Sequence, residues 1–153
     1  MSSISVWRIA TAARAAAFFT GEGGLYVEGR WHSKGSRIVY TAESRSLAAL
    51  EIMANIPGRE QFCRQNWVIA RVALPATLIE RPVKVPDDWR AVPAADTTRE
   101  FGDAWLAQLR TPVLCVPSVV TLGEFHYLLN PLHPDFFRLT FDMPEPFNFD
   151  PRF

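Results

Sequence analysis

The chain has 153 residues, 48% of them hydrophobic and 21% charged, which is enough for one domain with its own core and short for two. Sixteen Lys+Arg balance sixteen Asp+Glu, which excludes the strongly basic surface of a protein that coats nucleic acid or an anionic membrane. The balance conceals an asymmetry. Fourteen of the cations are arginine, and residues 1–95 carry twelve cations against eight anions where residues 96–153 carry four against eight. The planar guanidinium fork suits phosphate and carboxylate, so the first half has room for a local anion site.

In chain order, the pattern predicts a strand at residues 6–9, an Ala-rich helix at 11–19, and a loop holding five of the eight glycines between Gly21 and Gly35. A strand at 37–42 follows, then a helix over 44–56 with Ser44 as its cap and Pro57-Gly58 as its stop. Residues 67–74 read as a strand buried on most of both faces and ended by Pro75. A helix is expected from Thr97, with Glu100 closing a capping box and Phe101, Trp105 and Leu109 on one face. Strands at 113–116 and 136–141 complete the reading. The irregular alternation points to α+β architecture in a single domain, residues 1–153.

Cys63 and Cys115 lie far apart among apolar neighbours and read as small buried hydrophobes in a reducing compartment. The three histidines lack metal-ligand spacing, so no metal is expected. With neither a basic leader before an apolar run nor an apolar stretch long enough to span a bilayer, the chain reads as cytoplasmic and soluble.

Glu51 is the anomaly. It is the only charged side chain between Arg45 and Arg59, and helical geometry sets it inside a stripe of Leu47, Leu50 and Ala54. A carboxylate directed inward costs several kcal/mol, on the order of a broken buried pair, unless it meets a cation or several donors. Arg30, in Gly29-Arg30-Trp31-His32, is the natural partner; a structural arginine stacked on Trp31 is the plainer alternative. Tyr40 either fills the core or offers a flat face to a planar heterocycle. Ser118, in Val116-Pro117-Ser118-Val119, lacks the glycine elbow of a hydrolase nucleophile, and Gly21-Glu22-Gly23-Gly24 forms neither a dinucleotide fingerprint nor a phosphate loop.

Several motifs together resemble a known family. They are Gly21-Glu22-Gly23, Gly29-Arg30-Trp31, Val39-Tyr40-Thr41-Ala42-Glu43-Ser44, Leu47-Ala48-Ala49-Leu50-Glu51, Gly102-Asp103-Ala104-Trp105-Leu106, Val116-Pro117-Ser118-Val119-Val120, Tyr127-Leu128-Leu129-Asn130-Pro131 with His133-Pro134-Asp135, and Phe149-Asp150-Pro151-Arg152. Their order and spacing are similar to the RES-domain toxins of bacterial toxin–antitoxin pairs, from about Trp7 to Arg152.

The resemblance implies an ADP-ribosyltransferase-like core of short, mostly antiparallel strands in two sheets with flanking helices. It also implies consumption of NAD+ as substrate, with no other cofactor, and neutralisation by a partner carrying an Xre-like helix-turn-helix. Matched to their motifs, the family's Arg, Glu and Ser are Arg30, Glu51 and Ser118. Tyr40, Trp31, Ser44 and Asn130 are the further positions assigned to NAD+. His32 departs from the asparagine that many members carry there.

Cleavage of the nicotinamide–ribose bond passes through an oxocarbenium-like cation that a fixed carboxylate stabilises. Water, phosphate or a protein side chain remain open as acceptor, since Ala49-Leu50-Glu51 has neither the Glu-x-Glu nor the Gln-x-Glu pair of transferases. A protein target, the chain itself included, is the alternative to a small acceptor. A non-catalytic interaction module, using the aromatic stretches 125–127 and 136–153, is the alternative of a different class. Homodimerisation stays open, no direct nucleic-acid or membrane contact is expected, and the tail 147–153 is expected to pack on the domain or contact the antitoxin.

Overall fold

The computed structural model describes residues 2–56 and 58–153. Eight strands form one continuous antiparallel-dominated path: β1 (Ser3–Thr11), β2 (Val39–Ala42), β3 (Trp67–Pro75), β4 (Ile79–Glu80), β5 (Val113–Pro117), β6 (Phe125–Leu129), β7 (Thr140–Phe141) and β8 (Glu145–Phe147). The order is β4-β5-β6-β2-β1-β3-β7, with β8 also paired to β3 and, among the described residues, only β4–β5 parallel. The α+β class is as expected. The two sheets expected from the resemblance are two halves of this path, joined through a single register pair, Trp7 with Ala42.

Among the described residues four α-helices accompany them: α1 (Gly23–Tyr26), α2 (Arg45–Asn55), α3 (Arg59–Arg64) and α4 (Asp96–Gln108). Strand alternation assigns the cores. One face carries Val6, Val39, Val72, Leu74, Val113, Cys115, Tyr127 and Leu129. On the other face, α2 covers one half through Leu47 and Ala48 against Ile9, Ala42 and Ile69. There α4 covers the second half through Trp105, which clusters with Trp31, Leu114, Val116 and Leu128. Between the two helices, the seam of the sheet carries Tyr40 and His126 beside a narrow cleft.

Local chemistry explains the elements. The Ser44 hydroxyl accepts from Leu47 N at 3.0 Å and starts α2, a cap worth about 1 kcal/mol. Gly102 lets α4 dock, because a Cβ there would collide with the Trp31 carbonyl oxygen.

Several expectations are corrected. Residues 11–19 extend β1 to Thr11 and then form a 3-10 turn, Ala12–Ala17, since alanine propensity alone does not sustain a helix that buries none of its residues. The stretch 136–141 is a 3-10 turn, Phe136–Arg138, followed by a two-residue strand. Helix α4 starts at Asp96 with Ala95 as its uncapped N-cap residue, and Thr97 instead donates to Asp88, so the capping box does not form. Residues 125–127, part of the surface offered for the interaction-module alternative, lie in strand β6 inside the sheet, where Phe125 is exposed but His126 and Tyr127 are buried. Cys115 is buried but Cys63 is exposed on α3. Pro57 of the expected stop lies outside the described residues. No helix among the described residues is long and apolar enough to cross a membrane.

Candidate active site

The cleft opens where β1 and β2 part after their one shared pair. Trp7, Arg8 and Ile9 of β1 and Tyr40, Thr41 and Ala42 of β2 line it. Ala48, Glu51 and Ile52 of α2 stand over it and His126 of β6 closes one side. Arg8 bridges the parted strands by donating from Nε to Phe18 O at 3.0 Å and from Nη1 to Tyr40 O at 3.4 Å, with its guanidinium 5.5 Å from the Phe18 ring centroid. Burial, and then the charge of Arg14, lower its pKa to about 10, which leaves it cationic at neutral pH. By strand alternation the Arg8 side chain shares the face of Val6, opposite α2, and its buried guanidinium ties the parted strands together from that side of the gap.

Glu51 lies on the sheet-facing side of α2, but the stripe beside it is Leu47, Ala48 and Ile52; Leu50 and Ala54 are exposed. The carboxylate stands at the rim, with 41% of its side chain exposed, so the expectation of a core-directed charge is corrected to a cleft-directed one. Its partner is not Arg30. Oε2 lies 3.1 Å from His126 Nε2, and Oε1 accepts from Asn55 Nδ2 at 3.3 Å. Desolvation pushes the carboxyl up, but the contact and charge of His126, then Asn55 and Arg30, outweigh it and hold Glu51 below the usual carboxylate range. The group is ionised at neutral pH.

Arg30 occupies the tip of a tight turn closed by Gly29 N donating to His32 O at 3.1 Å. Its Nη1 donates to Trp89 O at 3.0 Å and Ala91 O at 2.6 Å. The side chain therefore ties the 81–95 loop to the site and reaches Glu51 only through space. Desolvation is the largest cause lowering its pKa, opposed by Glu51 and reinforced by Arg99. Arg99 donates to Gly29 O at 3.1 Å and pairs with Glu28 and Asp96.

His32 supplies what the sequence left open. Its Nε2 lies 2.9 Å from Val27 O, which can only accept, so Nδ1 of the neutral ring accepts from the Tyr40 hydroxyl at 2.7 Å. Desolvation lowers the His32 pKa and raises that of Tyr40, so both stay neutral. A Cβ on Gly29 would lie 2.6 Å from the Tyr40 hydroxyl, which explains glycine at the turn.

The remaining assigned residues have structural partners. Trp31 is 2% exposed and packs edge-on to Phe101, so it serves the core and not the cleft wall. Ser44 is the cap of α2. Ser118 is fully buried: its hydroxyl accepts from Thr121 N at 3.0 Å and its N–H donates to Glu124 O at 2.9 Å, closing the β5–β6 turn. Asn130 spends its amide on Leu106 O and Leu132 N at the end of β6 opposite His126. Sequence reasoning missed Arg8 and His126; the available signal was an arginine and a histidine, each set among apolar residues.

Comparison with known proteins decides the family. The RES domain model matches residues 5–150.

The chain belongs to the RES-domain family.

The resemblance carried by its scattered motifs is therefore borne out over nearly the whole chain. A Sphingobium sp. (strain YBL2) protein named "Prs ADP-ribosylating toxin" is 38% identical over 136 residues, 86% of this chain and 84% of the relative. Two proteins named "Toxin Res" are each 33% identical. The one from Yersinia enterocolitica covers 96% of this chain and 97% of its own, and the one from Pseudomonas putida covers 84% and 86%. The RES-domain chain thus shares its family with toxins along most of their length.

Proposed function

We propose that this RES-domain chain is a toxin that consumes NAD+ by breaking the nicotinamide–ribose bond. The observation that carries the reading is Glu51, an ionised carboxylate standing beside His126 and Asn55 over a narrow cleft. As the glycosidic bond breaks, positive charge grows on the ribose, and a fixed carboxylate stabilises it without reorganising. The departing nicotinamide is neutral and needs no strong acid.

The cleft itself is about 90 Å³, well under the usual size of a ligand pocket. It admits one planar ring beside Tyr40, while the rest of a dinucleotide lies across its mouth. Arg30, partly exposed beside the cleft and keeping donors beyond its two loop carbonyls, is the cation available to the pyrophosphate. In this reading Ser118 and Ser44 act by holding the β5–β6 turn and α2, and Trp31 and Asn130 by holding the scaffold.

A protein acceptor is the second reading, and the name of the Sphingobium relative favours it. The cytoplasm, where NAD+ is available, is the proposed site of action, and an Xre-like antitoxin the proposed partner. The purified chain is incubated with NAD+ with and without phosphate and a cell extract, followed by chromatography of small molecules and intact-mass measurement of proteins. Free ADP-ribose identifies a glycohydrolase, ADP-ribose phosphate a phosphorylase, and a protein mass increase of one ADP-ribosyl unit a transferase. Unchanged NAD+ in every arm, with no growth arrest on expression, would leave the interaction-module reading standing instead.

A further inference from the structure

We infer that His126 is a positioning residue for the Glu51 carboxylate, aiming it into the cleft through a contact at Nε2. The inference rests on the proposal that Glu51 acts on the substrate.

The geometry of the imidazole dictates its hydrogens. Its Nδ1 lies 3.2 Å from the carbonyl oxygen of Thr41, an atom that can only accept, so Nδ1 carries a hydrogen and donates. Its Nε2 lies 3.1 Å from Glu51 Oε2. A lone pair on Nε2 would face a carboxylate oxygen, and the contact becomes favourable with a hydrogen on the nitrogen. Among the described residues Nε2 has no aligned hydrogen-bond partner, although the atom is buried. Glu51 Oε2 is the acceptor within reach, and a small rotation of a glutamate that is 41% exposed completes the bond.

The scaffold holds the ring in place. Its backbone sits in the middle of the sheet, opposite Ala42 of β2 and Val116 of β5. Glu51, in contrast, is on a long side chain at the open rim. A rigid donor beside a mobile acceptor fixes the acceptor, which is the arrangement that electrostatic stabilisation of a developing cation requires. Asn55 Nδ2 steadies the other oxygen weakly, at 3.3 Å, and Asn55 is itself exposed. The other charged or titratable groups around the pair are Arg8 and Tyr40 in the cleft, Arg30 acting through space, and Glu43, whose carboxylate accepts from Phe125 N next to His126.

Three proteins test this: the wild type, His126→Leu and His126→Gln. Glutamine keeps an N–H near the Nε2 position while losing the bond to Thr41; leucine loses both. Charged hydrogen bonds convert to a fall in kcat of roughly 10- to 100-fold for His126→Leu, with KM within about threefold of wild type and most of the kcat restored in His126→Gln. A purely structural role would impair both variants alike, since both lack the Thr41 bond. Equal loss in the two variants, or full kcat in His126→Leu, overturns the inference.

A second arm is independent of turnover. The Glu51 side-chain carboxyl is followed by carbon-13 NMR as pH falls, and its midpoint in His126→Leu rises toward the ordinary glutamate value. An unmoved midpoint overturns the inference even if the wild type proves inactive on NAD+, an outcome that would separately defeat the proposed function.

Discussion

The Tyr40 hydroxyl donates to His32 Nδ1 at 2.7 Å, and through this bond a histidine behind the site fixes the ring that faces the cleft. The neutral state of His32 follows from its second contact, Nε2 to Val27 O at 2.9 Å, and from its burial. Protonating His32 would set an N–H against the Tyr40 hydroxyl and force the proton of that bond to turn elsewhere.

A pH dependence of stability follows. Burial lowers the His32 pKa, so the unfolded chain, with a histidine pKa near 6.5, binds the proton more readily than the folded one. The stabilising contribution is therefore present above about pH 6.5 and is lost as pH falls below it toward the folded value. Urea denaturation at pH 7.5 and 5.5 should show a larger loss in the wild type than in His32→Asn. Equal losses would remove this role for His32.

Arg30 ties the 81–95 loop to the glycine turn through Trp89 O and Ala91 O. Replacing it with alanine leaves both carbonyls without that donor and costs about 1–2 kcal/mol, the lower part of the range for charged hydrogen bonds because the group is partly exposed. Limited proteolysis should cut this loop several-fold faster in Arg30→Ala. An unchanged cleavage rate would mean that the loop holds without it.

The first part of the tail, through Phe147 and Phe149, packs on the domain, as one branch of the sequence reading had it for residues 147–153, while residues 151–153 are exposed. Strand β8 pairs with β3, and the Phe149 ring lies 5.1, 5.6 and 5.2 Å from the rings of Phe62, Trp67 and Phe147. Phe149→Ala should destabilise the chain by about 2 kcal/mol, below the usual cost of a fully buried phenylalanine because this ring is half-buried. Chemical denaturation measures it, and a change within experimental error would mean that the ring cluster contributes nothing.

The site was partly legible before the fold was known. Glu51 stood out because a lone carboxylate in an apolar helix has a local cost that a sequence reader can see, and Ser44 announced the start of that helix in the same way. Its neighbour His126 could not be found so directly, because the contact joins α2 to a strand far along the chain and a histidine among apolar residues has many harmless explanations. Arg8 was hidden in a strand whose splaying from β2 is a tertiary event. The assigned pairing of Glu51 with Arg30 failed for a related reason: spacing brings the two motifs near each other but does not say which carbonyls of the 81–95 loop will claim the guanidinium. The exposed Leu50 shows that α2 turns a different side to the sheet than hydrophobic pattern alone suggested.

The central claim is that Glu51 supplies the charge that breaks the nicotinamide–ribose bond, and nicotinamide release from NAD+ by purified wild type and Glu51→Gln tests it most directly. Glutamine preserves the shape and one acceptor while removing the charge, so the account predicts a fall in kcat of at least about 100-fold with the protein still folded. Release of nicotinamide by Glu51→Gln at the wild-type rate would contradict it.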